Sequence, residues 1–371
     1  MTLFFRLIGA CALVGFSAQL AAAQPALSLN TYLSYTDNLF QNHDPRSDWV
    51  TQTYLDLDYG LGPNVGLQYT GHASVFTEYG DLFSHRHRLG LSFAKTGEDG
   101  AAIYAGADLS ALLDRPLYEF YDYRQAGVYL AGKRVAPAGV LFRAGVETRY
   151  RQYLNAGDYS HTEHSGYVQV QRSWQSRTTL QVRGELGVKR FLQEASGDTT
   201  DARARMAGAR TLAQVDFRAK VAQAIGPQTG LQLIFTRRAN VAGQNRDLAF
   251  ETHFEDLVDD RYAYSSRELK AIVKHVASGG LKLQASGRYA WRDYDDRPAM
   301  DLEGYLIGDG VWREDRRKAL QLEGEKVIPM GSGWLKQIGV RLEWLYQHVD
   351  SNDPYYNAAT QVYTVGLDFG F

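Results

Sequence analysis

Hydrophobic and polar residues alternate along most of this chain with a period of two. In one segment Leu180, Val182 and Leu186 hold apolar positions, and Gln181 and Arg183 hold polar positions between them. Successive side chains of an extended strand point to opposite faces, so this alternation predicts strands with one apolar and one polar face. No stretch of comparable length has the period of a helix, and the pattern therefore predicts an all-β protein.

Sixteen segments show this alternation. The predicted strands cover residues 26–37, 48–59, 65–78, 84–95, 101–112, 119–131, 138–151, 163–174, 177–191, 209–222, 228–239, 262–276, 280–293, 314–328, 333–348 and 358–371. An even number is required when each strand crosses the same layer and the next one returns.

The predicted connections alternate between short and long. Turn-forming residues fill the short ones, at 60–64, 96–100, 135–139, 175–176, 226–228, 277–279 and 329–333. If both chain ends lie on one side, every short turn lies on that side too. This plan is typical of a transmembrane antiparallel up-and-down β-barrel, which is the predicted fold class. A secreted sandwich or propeller also has alternating strands, but its connections need not alternate in length.

The first residues have the three parts of a secretory signal peptide. Arg6 precedes an apolar run that ends in small residues at Ala21–Ala23. We therefore expect residues 1–23 to be cleaved and residues 24–371 to form a single barrel domain. A lipoprotein processing site ending at Cys11 is the alternative. Cys11 is the only cysteine, so the predicted mature chain has no disulfide and no cysteine metal site.

Composition narrows the function classes further. The formal net charge is −2 with 22% charged residues, which leaves no broad basic surface for nucleic acid. Beyond the predicted signal peptide, no apolar run reaches the roughly 18 residues of a transmembrane helix. This criterion does not detect the strands of a membrane barrel, because their alternating apolar and polar residues give a polar mean hydropathy.

The last predicted strand ends at an aromatic carboxyl terminus. Its apolar face consists of Tyr363, Val365, Leu367, Phe369 and Phe371. This pattern resembles the terminal strand of the Gram-negative outer-membrane β-barrel (porin-like) superfamily. The resemblance implies a bacterial outer-membrane location and contact with outer-membrane lipid and lipopolysaccharide. It also implies that the barrel-assembly machinery recognises these five residues.

A weaker resemblance concerns the end of the first predicted strand. The stretch from Tyr35 to Phe40 is similar to the opening of several porin-like barrel families, some of them linked to surface-polysaccharide systems. Asp37 and Asn38 within it are also typical of the start of a loop. Turn chemistry favours this second interpretation.

The polar face of the predicted strands carries charges of both signs. The candidate pore-lining residues are Lys270, Lys274, Lys282, Arg288, Arg292, Arg183, Glu185, Arg341 and Glu343. The first five are cations on two adjacent strands, with no carboxylate expected among them before Asp293. We therefore expect a basic wall and a weak anion preference. A charged lining is also a structural need of any water-filled barrel, and the sequence leaves both interpretations open.

Outer loops supply the candidates for narrowing the pore. The third loop, at 113–119, is too short to fold far inward. Any constriction must then come from other loops or from side chains, and the seventh loop is one candidate. The sixth loop is acidic and either holds a divalent cation or is simply solvated. Its carboxylates are Glu251, Glu255, Asp256, Asp259 and Asp260.

Two further clusters contain residue types found in active or metal sites. Ser84 and His85, with Asp81 nearby, have the side chains of a hydrolase site, and His161 with His164 has those of a metal site. Spacing alone establishes neither, because a triad and a metal site are both defined by geometry. We expect no enzyme activity, no cofactor and no metal.

The sequence therefore favours a passive outer-membrane channel for small hydrophilic solutes. One alternative is an accessory barrel for export or surface-polysaccharide assembly, and another is a structural barrel with a blocked lumen.

Overall fold

The computed structural model describes residues 25–114, 117–192, 211–243, 261–331 and 333–371. These residues form one closed barrel of sixteen strands. The strands are β1 (Ala26–Thr36), β2 (Asp48–Gly62), β3 (Val65–Phe76), β4 (Ser84–Thr96), β5 (Ala102–Asp114), β6 (Tyr123–Ala136), β7 (Val140–Tyr153), β8 (His161–Ser173), β9 (Thr178–Phe191), β10 (Thr211–Ala224), β11 (Thr229–Ala242), β12 (Ser265–Val276), β13 (Lys282–Pro298), β14 (Trp312–Pro329), β15 (Gln337–Ser351) and β16 (Ala358–Gly370). The predicted fold class and strand number are confirmed.

The first and last strands close the barrel. β16 pairs antiparallel with β15 on one side and with β1 on the other, where Leu33 lies opposite Val365. Closure matters in a membrane because an open sheet edge in hydrocarbon leaves backbone amides without partners. Phe371 continues the closure, since its amide donates to the carbonyl of Leu27 at 3.0 Å. Its ring stacks on Trp334 with the ring centroids 4.9 Å apart.

Two strand boundaries differ from the predicted ones for identifiable reasons. β6 begins at Tyr123 rather than at 119, because Glu119–Tyr121 forms a 3-10 turn. β13 continues to Pro298 rather than ending at 293. Its last residues are mostly charged and resemble a loop in sequence, yet Tyr294 is buried and lies opposite Arg313 of β14.

The outer surface of the wall is apolar. Val128, Val146 and Val168 are 55%, 59% and 59% exposed. Outward-facing apolar residues around a closed barrel are suited to contact with lipid. Among the described residues, no helix has the length and apolar character needed to cross a membrane. The fold and this apolar band agree with the expected outer-membrane location.

The two ends of the barrel are built differently. Short turns join the strands at the end where β1 begins and β16 ends, which we call the turn end. Gly280 in one of these turns has a φ of 79°, a left-handed conformation that glycine adopts at little cost. Longer connections lie at the opposite end, the loop end, as predicted. There Leu39, Val50, Phe76 and Leu82 form a buried cluster.

Aromatic residues form two further buried clusters at the loop end. Leu112 packs with Tyr123, and Ala263 packs with Tyr264 and Tyr294. The predicted signal peptide and the acidic run of the sixth loop lie outside the described residues.

Candidate pore and its constriction

The nine candidate lining residues lie on the inner face of their strands. Lys270 and Lys274 alternate on β12 with Leu269 and Val273, which are exposed on the outer face. The same alternation places Lys282, Arg288, Arg292, Arg183, Glu185, Arg341 and Glu343 on the inner face. The structure therefore gathers all nine on the lumen side of the wall.

The basic wall is less uniform than predicted. Glu268 shares the inner face of β12 with Lys270, and Asp293 lies on the outer face of β13. Lys282 forms an ion pair with Glu325 of β14 at 3.0 Å. The expectation that no carboxylate lies among these cations before Asp293 is therefore wrong. The reason is simple, since Glu268 is two residues from Lys270 and must share its face.

Carboxylates concentrate on β14 and β15, next to this wall. Glu323 and Glu343 lie directly opposite each other. Gln284 donates to Glu323 at 3.2 Å, and Gln321 donates to Glu343 at 3.0 Å. Arg341 is 3.8 Å from Glu323. This side of the lumen therefore carries both signs of charge.

Arg183 and Glu185 form an ion pair on β9, with nitrogen and oxygen 2.6 Å apart. The guanidinium of Arg183 also lies 3.9 Å from the ring centroid of Tyr167. Glu185 is shared with a second cation, because Arg261 contacts it at 2.6 Å. Arg261 belongs to the end of the sixth loop, so a loop residue reaches the barrel wall here.

Arg261 and Tyr262 cover part of the wall from inside. They belong to the 3-10 turn Arg261–Ala263 just before β12. Arg261 nevertheless contacts Glu163 of β8 at 3.1 Å, and Tyr262 donates to the same carboxylate at 3.1 Å. β9, β10 and β11 lie between β8 and β12. The last residues of the sixth loop therefore reach across these three strands to contact β8. Gly187 makes room for it, because a side-chain carbon there would collide with the Arg261 guanidinium.

Polar side chains hold the backbone of this turn in place. The amide of Gln214 donates to the carbonyl oxygens of Arg261 and Tyr264. The amide of Asn240 donates to the carbonyl of Tyr262 at 3.1 Å. Tyr262 is only 1% exposed. The turn is therefore a fixed part of the lumen wall.

Burial, neighbouring charges and hydrogen bonds together keep Arg261 and Tyr262 protonated. Burial alone would lower the pKa of Arg261, but its hydrogen bond to Glu185 and the charge of Glu163 raise it. Burial, followed by the charge of Glu163, raises the pKa of Tyr262. Both groups therefore keep their protons at physiological pH, and the turn carries a permanent positive charge.

The first outer loop enters the lumen from another side. Gln41 has a φ of 49°, a left-handed conformation that is strained for a residue other than glycine. Its side-chain oxygen accepts a hydrogen bond from Gln347 of β15 at 2.8 Å. Gln347 in turn accepts a long contact of 3.5 Å from Arg288 of the basic wall. The strained loop thus carries a polar group to the neighbourhood of Arg288.

The most deeply buried charges lie at the loop end of β14. Asp315 accepts hydrogen bonds from Arg313 at 2.7 Å and from Arg317 at 2.9 Å, and the Tyr294 hydroxyl donates to it at 3.2 Å. Arg313 also lies 3.4 Å from the ring centroid of Tyr356, in the last outer loop. Arg313 and Asp315 are each 1% exposed. One carboxylate therefore holds two buried cations.

The seventh loop, one candidate for narrowing the pore, is a short hairpin with a bridge between Met300 and Leu306. The seventh loop turns back on itself, because the amide of Asp301 donates to the carbonyl of Tyr305 at 2.8 Å. Tyr305 at its tip is 71% exposed. The third loop is short, as predicted. The inward contacts described above come from the first loop, from the end of the sixth and from Tyr356 of the last loop.

The candidate catalytic and metal residues are not brought together. Ser84 is buried on the inner face of β4, and His85 points to the outer face, where its Nδ1 is 3.0 Å from His87 Nε2. His161 and His164 likewise occupy opposite faces of β8. In the described ranges, no group of three or more His, Cys, Asp or Glu side chains is placed to hold a metal ion.

Sequence reasoning missed Gln41, Arg261 and Tyr262. Gln41 gives no signal, because nothing in its neighbours announces a left-handed residue. Arg261 and Tyr262 offer one: the stretch Arg261–Tyr264 is rich in aromatic residues immediately after an acidic run. Aromatic side chains beside a solvated loop indicate a place where the chain returns to a packed surface.

Comparisons with known proteins agree with the fold. No protein-family model matches the chain, and no curated protein matches it significantly. The outer membrane protein OpdK from Pseudomonas aeruginosa is 13% identical with a TM-score of 0.50, over 95% of this chain and 99% of that one. OccK2 (OpdF) of Pseudomonas aeruginosa, solved in complex with glucuronate, is 14% identical with a TM-score of 0.51, over 96% and 99%. This chain therefore shares the fold of these proteins.

Proposed function

We propose that this protein is an outer-membrane channel for the passive diffusion of small hydrophilic solutes. The observation that carries the proposal is a charged inner face in contact with water inside a closed barrel. The side chains of Arg88 and Lys282 are 57% exposed and that of Arg149 is 44% exposed. A sixteen-strand barrel is wide enough to leave an aqueous passage between such side chains.

The lining and the fold neighbours both support this solute class. Charges of both signs favour hydrated polar solutes over apolar ones. OccK2 has been solved with glucuronate, a small hydrophilic molecule, which supports the same class for this chain. A weak anion preference is the finer part of the proposal, supported by the cations of β12 and β13.

The proposed narrowest passage lies near the loop end, between Arg261 with Tyr262 on one side and Gln41 on another. The contacts of Arg261 with Glu163 and Glu185 support this location, because they hold loop atoms against the inner wall. Removing Arg261 should both delete its side chain and release the turn from these two carboxylates.

Single-channel recordings in planar bilayers test the proposal. The wild-type protein should give discrete steps of ionic current, and Arg261→Ala should conduct more than wild type. Arg143→Ala is the matched control, since Arg143 is an exposed inner-face arginine near the turn end of β7, and it should conduct as wild type does.

Other outcomes would favour the alternatives. Absence of current from the wild type with current in Arg261→Ala would indicate a blocked barrel. Current that requires added partner proteins would indicate an export accessory. Equal conductance of Arg261→Ala and wild type would remove Arg261 from the constriction while leaving the channel intact.

A further inference from the structure

Three arginines and a tryptophan form a row on the outer face of the wall. Arg237 of β11 lies directly opposite Arg267 of β12. Arg267 lies opposite Trp291 of β13, and Trp291 lies opposite Arg316 of β14. All four side chains are exposed. This arginine row faces away from the lumen, so the channel does not account for it.

The arginine row lies at the upper edge of the apolar band. Directly below it, Phe235 and Leu269 face outward with 36% and 52% exposure. On β14, Arg316 stands ten residues from the outward-facing Lys326 near the turn end. At about 3.4 Å per residue and a strand tilt of about 40°, that separation is roughly 26 Å along the membrane normal, close to the height of a barrel's apolar band. With the loop end facing the cell exterior, the row meets the headgroups of the outer leaflet.

Arg237 and Arg267 have no counter-charge directly opposite them in the described part of the chain. Among the described residues, no ion pair includes Arg237, Arg267 or Arg316. Like charges directly opposite on antiparallel strands destabilise a sheet, and nearby hydrocarbon strengthens the repulsion by lowering the local dielectric. The nearest outward carboxylates in register are Asp293, Glu314 and Asp350. They lie on β13, β14 and β15, and none is opposite Arg237 or Arg267.

We propose that Arg237 and Arg267 bind a phosphate of an outer-leaflet glycolipid headgroup, with Arg316 and Trp291 at the flank of the site. A guanidinium fork matches the geometry of phosphate oxygens and binds them bidentately. The bound anion removes the repulsion between the two arginines. Trp291 is suited to the boundary between headgroups and hydrocarbon, and the apolar residues below the row contact the acyl chains.

We infer a phosphorylated lipid rather than a soluble anion because an apolar surface adjoins the two arginines. Its lower side continues into Phe235 and Leu269, which offer nothing polar to a soluble anion. Asp350 lies opposite Arg316 and reduces the positive charge there. Arg237 and Arg267 are therefore the residues on which binding should depend most.

A binding titration of the folded full-length protein in detergent tests the site. Bisphosphorylated lipid A is the probe, and native mass spectrometry measures the bound fraction. Wild type should bind it, and the double variant Arg237→Gln/Arg267→Gln should bind at least tenfold more weakly. The control is Arg134→Gln/Arg172→Gln, which removes two outward-facing cations at the turn end and should bind as wild type does.

Two further probes identify the source of the phosphate. Lipid A without phosphates should bind much more weakly than the bisphosphorylated form, and so should inorganic phosphate. Equal binding of the dephosphorylated lipid would mean that apolar contact alone holds it, which overturns the proposal. Equal binding of inorganic phosphate would replace the lipid by a soluble anion and overturn the proposal as well.

Thermal unfolding separates loss of the site from a folding defect. Without lipid, the double variant should be at least as stable as wild type, because the like-charge pair is gone. Added bisphosphorylated lipid A should raise the unfolding temperature of wild type more than that of the variant. An equal rise in both proteins would overturn the proposal.

Discussion

The loop end of this barrel contains a buried ion pair, whereas the turn end contains one that is exposed to solvent. At the loop end Arg313 and Asp315 are almost inaccessible to solvent. At the turn end the Lys282–Glu325 pair is open to water, with 57% of the lysine side chain exposed. The two pairs have similar nitrogen–oxygen distances, 2.7 Å and 3.0 Å, yet they have different energetic roles.

The difference shows that this fold needs a packed interior only where loops must be held. Along the wall, backbone hydrogen bonds between neighbouring strands already satisfy the sheet, so the turn end can remain wet. The described loops have only scattered backbone hydrogen bonds in place of this continuous ladder. Their positions depend on buried side chains such as Leu39 and Tyr262, and these lie at the loop end.

Removing one paired carboxylate at each end is the strongest test of this comparison. Asp315→Ala leaves Arg313 and Arg317 buried without their carboxylate, and we expect it to lower the free energy of unfolding by about 3–5 kcal/mol. Glu325→Ala removes the partner of an exposed lysine, and its expected cost is about 0–1 kcal/mol. Denaturant titrations of both variants in the same lipid give the two values. Equal costs would mean that burial does not distinguish the two ends.

A smaller effect is expected on the wall itself, where the two faces differ. Leu342 is 58% exposed on the outer face and lies opposite Gly324, inside the apolar band but closer to its turn-end edge. Leu342→Arg should therefore cost about 1–2 kcal/mol, between the values for the interface and for the bilayer midplane. Arg341 is its inner-face neighbour, and its contact with Glu323 is a long 3.8 Å. Arg341→Leu should therefore fold almost as well as wild type. A lipid-refolding titration with equal tolerance of both changes would reverse the assignment of faces.

Much of the fold could be predicted because it depends on local alternation. Lys282 and Leu283 occupy opposite faces for the same reason that any two successive strand residues do. The same rule also predicts that Glu268 lies on the inner face beside Lys270. The contact between Arg261 and Glu163 could not be predicted, because it depends on how a loop crosses β9, β10 and β11, and no periodic pattern encodes that path.

The carboxyl terminus allows a test of assembly at the turn end. Deleting Phe371 should reduce the yield of folded barrel more than it reduces export to the periplasm, if the assembly machinery reads the terminal residue. Trp334→Ser removes the ring on which Phe371 stacks but keeps the terminus, and it should have a smaller effect. Heat-modifiable gel mobility measures the folded fraction. An unchanged yield after the deletion would contradict the expectation.

The weakest expected effect concerns ion selectivity. Replacing Lys270, Lys274 and Lys282 by Gln should shift a weak anion preference toward none, because Glu268 and Glu325 already offset part of this charge. Salt screens the remainder beyond about 8–10 Å. Reversal potentials in a salt gradient measure the shift, and Arg267→Gln on the outer face should leave them unchanged. Cation selectivity of the wild type would exclude the basic wall from the mechanism.

The side chains of Gln41 and Arg261 are attached to the barrel wall with unequal strength, and this difference should appear in the timing of fluctuations in the current. Gln41 contacts the wall through one neutral side-chain hydrogen bond, whereas Arg261 forms ion pairs with two carboxylates. Charge-assisted hydrogen bonds are roughly twice as strong as neutral ones. Loop motions run from nanoseconds to microseconds and slower collective ones to milliseconds. The open-channel noise should therefore contain two lifetimes, a brief one from release of Gln41 and a longer one from release of Arg261.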